Sequence, residues 1–130
     1  MIALGMIVGG KQGEDKSLAR ALSTVASYVD GIFITLTGKD IKGVEAVARS
    51  YNAHISYYRP VFKPDDKTIS WLTKFFGYKP QMSKKDEIFL FDEARNFNFS
   101  QIPKEYEWIF WMDADDVLQG GENLKEMGQK

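Results

Sequence analysis

The chain of 130 residues has a net charge of −1 at neutral pH, because 17 lysines and arginines face 18 aspartates and glutamates. That balance, without any run of basic residues, excludes the general electrostatic attraction that supports nucleic-acid binding. The absence of cysteine excludes disulfides, thiolate metal sites and cysteine nucleophiles, and suits a cytoplasmic protein. The apolar start, residues 2–8, is too short to cross a bilayer, so we expect a soluble chain with no membrane span.

Four short apolar segments predict buried β-strands. They cover residues 2–8, 31–37, 53–58 and 107–112. Each is continuously apolar rather than alternating, which is typical of parallel strands that are covered on both faces.

Segments with helical spacing of apolar residues lie between these strands. The spacing predicts helices over 15–29 and 41–52, with Asp40 as the N-cap of the second and Asn52 near its end. A further helix is predicted over 88–102, because Pro103 would end it. The order predicts an α/β fold, the Rossmann-like first half of a doubly wound, mostly parallel sheet with helices on both faces.

Residues 60–88 interrupt this alternation and read as an insertion. They hold three of the four prolines and an aromatic cluster of Trp71, Phe75, Phe76 and Tyr78. The pattern predicts a short amphipathic helix over 68–76. Two interpretations of the cluster remain open: a small satellite core, or a surface for an acceptor sugar or a partner.

The stretch WIFWMDADDVL, residues 108–118, runs a predicted core strand directly into three aspartates. In an open parallel sheet, ligands bind outside the carboxyl ends of the strands. In extended chain Asp113 and Asp115 would point the same way, with the small Ala114 keeping space open between them. Paired carboxylates suit Mg²⁺ or Mn²⁺ shared with a diphosphate; alternatively, they cap the next helix in a polar loop.

Two other stretches are candidate binding elements. GGKQGED, residues 9–15, lacks the order of a phosphate-binding P-loop, so it is either a glycine-rich turn or the lining of a ligand pocket. Arg95 and Asn96 are either solvated helix surface or partners of a phosphate, for which the arginine fork is well suited.

Three parts of the chain together resemble the family 2 glycosyltransferases of the GT-A fold: residues 6–40, DEARNFNF and WIFWMDADDVL. In that family a strand, a polar loop, a helix and a second strand ending in TGSxD open the chain. An AARN helix and a WILWLDADEVL strand carrying the DxD motif follow. The resemblance covers most of the chain except 60–88. The chain differs from the family in its longer loop at 9–13. It also has Leu36 where the family often has an acidic residue that binds the nucleobase.

The resemblance implies metal-dependent transfer of a sugar, with inversion, from a nucleotide-diphosphate sugar, for which a UDP-sugar is the expected donor. It implies Mn²⁺ or Mg²⁺ at Asp113 and Asp115. The donor-binding residues that it implies are Val8, Gly9, Thr37, Asp40, Arg95, Asn96 and Asp113.

The resemblance also implies that residues 1–130 form a single nucleotide-sugar-binding domain that stops before the acceptor half. The general base is then expected beyond Lys130, and residues 1–130 alone are expected to lack transfer activity. The acceptor is not defined by the sequence. The alternative is a non-catalytic module that binds a nucleotide or a nucleotide sugar.

Overall fold

The computed structural model describes residues 1–62, 65–77 and 88–123. The strands are β1 (Ile2–Val8), β2 (Gly31–Leu36), β3 (His54–Tyr57), β4 (Val61–Phe62), β5 (Ile88–Phe89) and β6 (Trp108–Trp111). The helices are α1 (Glu14–Val25), α2 (Lys42–Ser50), α3 (Asp66–Phe76) and α4 (Phe91–Ser100), and a 3₁₀ turn covers Ala26–Tyr28.

The main sheet has the strand order β3-β2-β1-β6, and every neighbouring pair in it is parallel. The four predicted strands are therefore confirmed, with ends that differ by at most one residue. The protein is an α/β chain with a four-stranded parallel sheet, consistent with a Rossmann-like arrangement. No helix within the described ranges is long and apolar enough to cross a membrane.

The chain divides into two compact units. One comprises Met1–Arg59 with Asp92–Lys130 and contains the sheet, and the other is Pro60–Phe91. The second unit coincides with the insertion predicted at 60–88.

Helices α1, α2 and α4 pack on the main sheet through their buried side chains. Leu18 and Leu22 of α1 and Val44 of α2 are buried in the larger core cluster with β1 and β2. A smaller cluster is built on Ala3 and Phe33 and includes Ile102, which follows α4. Burying these side chains stabilises the fold by roughly 1.5–3 kcal/mol for each large one.

The ends of α2 correct one expectation and support another. Ile41, not Asp40, is the N-cap, and no side chain caps this helix. Asn52 has the left-handed φ of 58° and its N–H donates to the carbonyl of Arg49 at 3.0 Å. Asparagine tolerates that conformation, which ends the helix and starts the turn into β3.

The second unit contains elements that the sequence pattern missed. β4 and β5 pair antiparallel, with Val61 opposite Phe89. The helix predicted over 68–76 begins two residues earlier, at Asp66. The helix predicted over 88–102 begins only at Phe91, because its first two residues form β5. The satellite-core interpretation of the aromatic cluster is wrong for its described members, because Trp71, Phe75 and Phe76 are 60%, 68% and 53% exposed. Tyr78 lies outside the described residues.

Asn98 of α4 is a fully buried polar side chain against the centre of the sheet. Its amide nitrogen donates to the carbonyl of Met6 at 3.1 Å, to the carbonyl of Phe33 at 3.0 Å and to Thr35 Oγ1 at 3.0 Å. Its oxygen is buried without a hydrogen-bond partner and would lie 2.7 Å from a Cβ placed on Gly5. The helix is therefore fixed to both central strands, and position 5 has room only for glycine.

We expect Gly5→Ala to destabilise the protein by about 1–3 kcal/mol, because the added methyl would overlap the Asn98 oxygen. In an Asn98→Ala background the same change should be neutral or stabilising. Asn98→Ala alone should cost about 2–4 kcal/mol through lost hydrogen bonds and a cavity. Urea unfolding of the four proteins in a double-mutant cycle measures the coupling. Additive effects at the two positions would contradict this contact.

Candidate functional site

Polar side chains gather where three strands of the main sheet end. β1, β2 and β6 run parallel and in register, with Val8 opposite Leu36 and Gly5 opposite Trp111. The segments that follow these strands therefore emerge at the same edge of the sheet, where open α/β sheets bind ligands.

The aspartates after β6 form a turn rather than a continued strand. The Asp113 N–H donates to the Asp116 carboxylate at 3.3 Å, and the Asp116 N–H donates to the Asp113 carbonyl at 3.1 Å. All three aspartates are exposed, whereas Ala114 is buried in the core. The expectation of an extended chain with open space at Ala114 is therefore wrong, because β6 ends at Trp111.

Helix α1 holds the segment that leaves this acidic turn. The N–H of Leu118 donates to Thr24 Oγ1 at 2.9 Å, and Leu118 packs against the larger core cluster. The turn is thus fixed to the core through Ala114, and the segment after it is fixed to α1 through Leu118, while the three carboxylates face water.

The loop after β1 is organised around the carboxylate of Glu14. Glu14 accepts the N–H groups of Gly9 at 3.1 Å, Gly10 at 2.7 Å and Lys11 at 2.7 Å. Successive backbone N–H groups that converge in this way form an anion-binding concavity. Because a side chain of the same chain occupies the concavity, this structure favours the glycine-rich turn interpretation of residues 9–15.

Glycine is required where this loop meets the loop after β2. Gly10 has a left-handed φ of 90°, and a Cβ there would overlap the carbonyl oxygen of Asp40. A Cβ at Gly38 would likewise overlap the carbonyl oxygen of Gly9. Close backbone packing therefore fixes the two loops to each other at the edge of the sheet.

The candidate donor residues of β1 and β2 are mostly buried. Val8 is fully buried, and its carbonyl accepts the Thr37 N–H at 3.0 Å and the Thr37 hydroxyl at 3.4 Å. Thr37 is 6% exposed, Gly9 is half-buried and Asp40 is exposed. Of these four, Asp40 is the residue whose side chain is available to a ligand from solvent.

Arg95 and Asn96 are next to each other in sequence but have different surroundings on α4. Arg95 is half-buried, and its guanidinium contacts the Asp92 carboxylate at 3.4 Å across one helical turn. Asn96 is exposed, so its side chain points to solvent rather than toward the sheet.

Two residues that organise the site were missed by the sequence interpretation. Ala94, Asn98 and Ile102 lie four residues apart and are all buried, so helical spacing could have selected Asn98 as the inward asparagine. The role of Glu14 had a weaker signal, an acid at a helix start directly after a glycine-rich turn.

The carboxylate oxygens of the acidic turn are suitable ligands for a hard divalent cation. Asp113 and Asp115 offer exposed carboxylate oxygens, and Mg²⁺ or Mn²⁺ commonly takes one or two carboxylates together with water and phosphate oxygens. Within the described ranges there is no group of three or more histidines, aspartates or glutamates arranged to hold a metal on their own. The turn therefore suits a shared metal better than a site built from protein ligands alone.

A cavity of about 430 Å³ lies elsewhere on the same unit, beside the edge strand β3. Its lining includes Phe33, His54, Gln101 and Tyr106, and the His54 ring stacks on Phe33 with centroids 4.8 Å apart. It includes none of the candidate donor or metal residues. The acidic turn lies outside this cavity and is exposed to solvent. Its carboxylates, and not an enclosed pocket, make it the candidate site.

Comparison with protein-family models, with curated proteins and with solved structures gives no match. The case for a function therefore rests on the residues of the site.

We expect Glu14→Gln to lower the free energy of unfolding by about 1–3 kcal/mol. The amide keeps the shape but supplies only one acceptor oxygen without charge, so at least one of the three N–H groups loses its partner. Urea unfolding measures the loss. Asp15→Asn is the matched control, because Asp15 lies in the same helical turn but accepts no backbone N–H of this loop. Equal losses in both variants would assign the effect to the helix dipole.

Proposed function

We propose that this chain is the donor-binding part of a family 2 glycosyltransferase that transfers a sugar, with inversion, from a nucleotide-diphosphate sugar. The observation that carries the proposal is the exposed Asp113 and Asp115 on a fixed turn directly after β6. That turn follows the strand beside β1 at the carboxyl edge of a parallel sheet.

The proposed metal-binding residues are Asp113 and Asp115, with Mn²⁺ or Mg²⁺ as the ion. When bound, such an ion neutralises the departing diphosphate as a Lewis acid. The chain's own part is to hold two carboxylates outside the core without burying them. Asp116 supports this arrangement, because its carboxylate accepts the N–H of Asp113 and orients the start of the turn.

The remaining donor contacts are assigned by side-chain availability. Asp40 is the exposed carboxylate on the loop after β2 and is the candidate partner of the ribose or the base. Arg95 carries the planar cation proposed for the diphosphate, with a side chain 41% exposed. Val8, Gly9 and Thr37 contribute packed backbone that positions these groups, and the exposed Asn96 remains a proposed donor contact through its amide.

We expect Mn²⁺ together with uridine diphosphate to raise the melting temperature of the protein, because the proposed site exists only in the folded state. At a free ligand concentration one hundred times Kd the gain is roughly 2.7 kcal/mol, or several degrees for a chain of this size. Asp115→Asn should abolish the gain. Differential scanning fluorimetry with metal, nucleotide, both or neither measures it.

The matched control for this experiment is Glu122→Gln, which neutralises another exposed carboxylate outside the acidic turn. It should retain the full stabilisation by metal and nucleotide. Equal shifts in Asp115→Asn and the unmodified protein would place the ligand elsewhere. Stabilisation by the nucleotide without any metal would exclude a metal-bridged donor.

We expect Arg95→Lys to weaken binding of nucleotide diphosphate by about tenfold or more, because the charge remains but the bidentate fork is lost. Because lysine keeps the positive charge and the ion pair with Asp92 is largely solvent-exposed, that pair should contribute no more than about 1 kcal/mol to any change in stability. Calorimetric titration beside melting curves separates the two effects.

Asp92→Asn is the control for Arg95, because it removes the ion pair and leaves the guanidinium in place. It should retain nucleotide affinity. Loss of affinity in Asp92→Asn but not in Arg95→Lys would make the pair a structural element and remove Arg95 from the donor site.

A further inference from the structure

The exposed face of α3 combines aromatic rings and lysines. Trp71 and Phe75 lie one turn apart and stack, with ring centroids 5.3 Å apart and planes at 15°. Lys67 lies four residues before Trp71 and Lys74 three residues after it, so both lie on the same face as the rings. All four side chains are exposed.

The opposite face of α3 is the more buried one. Ile69 and Thr73, one turn apart, are half-buried, and the Thr73 hydroxyl donates to the Ile69 carbonyl at 2.8 Å. The helix therefore turns its largest rings outward. Phe76 extends the aromatic surface, because its ring meets Phe75 edge-on at 5.0 Å.

We propose that this face of α3 binds the surface of an anionic lipid bilayer, with Trp71 and Phe75 inserted at the headgroup level and Lys67 and Lys74 beside the phosphates. Rings of this kind are favourable at the boundary between headgroups and acyl chains. Lysines can extend their ammonium groups back to the aqueous side while their stems remain on apolar surface.

Charge favours a bilayer over other occupants of this face. The charged residues on the ring-bearing face of α3 are both lysines, Lys67 and Lys74, whereas Asp66 lies roughly 140° around the helix from Trp71. A second copy meeting this face about a two-fold axis would bring the lysine-bearing surfaces together. Lysine is also depleted in the cores of protein–protein interfaces, whereas each lysine near an anionic membrane contributes roughly a fivefold gain in affinity.

Binding to the bilayer is independent of the proposed sugar transfer, since α3 contains none of the candidate donor or metal residues. The probe is therefore a vesicle. Co-sedimentation of the whole chain with vesicles of phosphatidylcholine and phosphatidylglycerol is compared with pure phosphatidylcholine, at low and high salt. We expect binding to the anionic vesicles that weakens as salt screens the lysines.

The variant Trp71→Ser/Phe75→Ser should lose about tenfold or more in vesicle affinity, because both rings leave the bilayer. Lys67→Glu/Lys74→Glu should lose a similar factor on anionic vesicles only. Val117→Ser and Lys104→Glu, which change an exposed apolar side chain and an exposed lysine elsewhere, should bind like the unmodified protein. Circular dichroism and melting curves establish that each variant is folded.

Insertion has its own optical readout in a Trp108→Phe/Trp111→Phe protein, where Trp71 is the remaining tryptophan. Its emission should shift to the blue on anionic vesicles and be quenched by lipids brominated on the acyl chains. Absence of vesicle binding by the unmodified chain would overturn the proposal, as would unchanged binding after loss of both rings. A concentration-dependent dimer that disappears in Trp71→Ser/Phe75→Ser without lipid would instead make the face a contact between copies.

Discussion

The candidate site depends on the parallel pairing of β1 with β2 on one side and β6 on the other. β1 is one of the two central strands, and all its residues except Ile7 are buried. Because its neighbours run in the same direction, one edge of the sheet receives the loop after β1, the loop after β2 and the acidic turn. Loss of register on either side would move Asp113 or Thr37 away from that edge.

Two buried or half-buried polar side chains fix the parts of the fold that apolar packing leaves undefined. The Asn98 amide bonds to Met6 of β1 and Phe33 of β2, so α4 has one position relative to the sheet. The Glu14 carboxylate gathers three N–H groups and gives a glycine-rich loop one conformation. Apolar contacts tolerate small shifts, whereas these directional bonds do not.

Sequence periodicity predicted the parallel sheet well because buried parallel strands are continuously apolar and end at turn residues. It failed for β4 and β5, since two-residue strands contain no period to detect. It predicted α3 but not which face of α3 is exposed to water, because a pattern of apolar residues does not distinguish Trp71 from Ile69. The direction of Asp115 also required the structure, because residues two apart point the same way only while the strand continues.

If this end of the sheet binds a nucleotide-diphosphate sugar as proposed, its electrostatics would favour a donor that carries a metal ion. Loop N–H groups often cradle phosphates, but those after β1 already bond to Glu14. The edge also presents the carboxylates of Asp113, Asp115 and Asp116, which repel a bare diphosphate. A divalent ion held by Asp113 and Asp115 would reverse the sign of that interaction by supplying positive charge beside the diphosphate. The acidic turn would therefore select the metal-loaded donor over the free one, and Arg95 would add a cation that remains without metal.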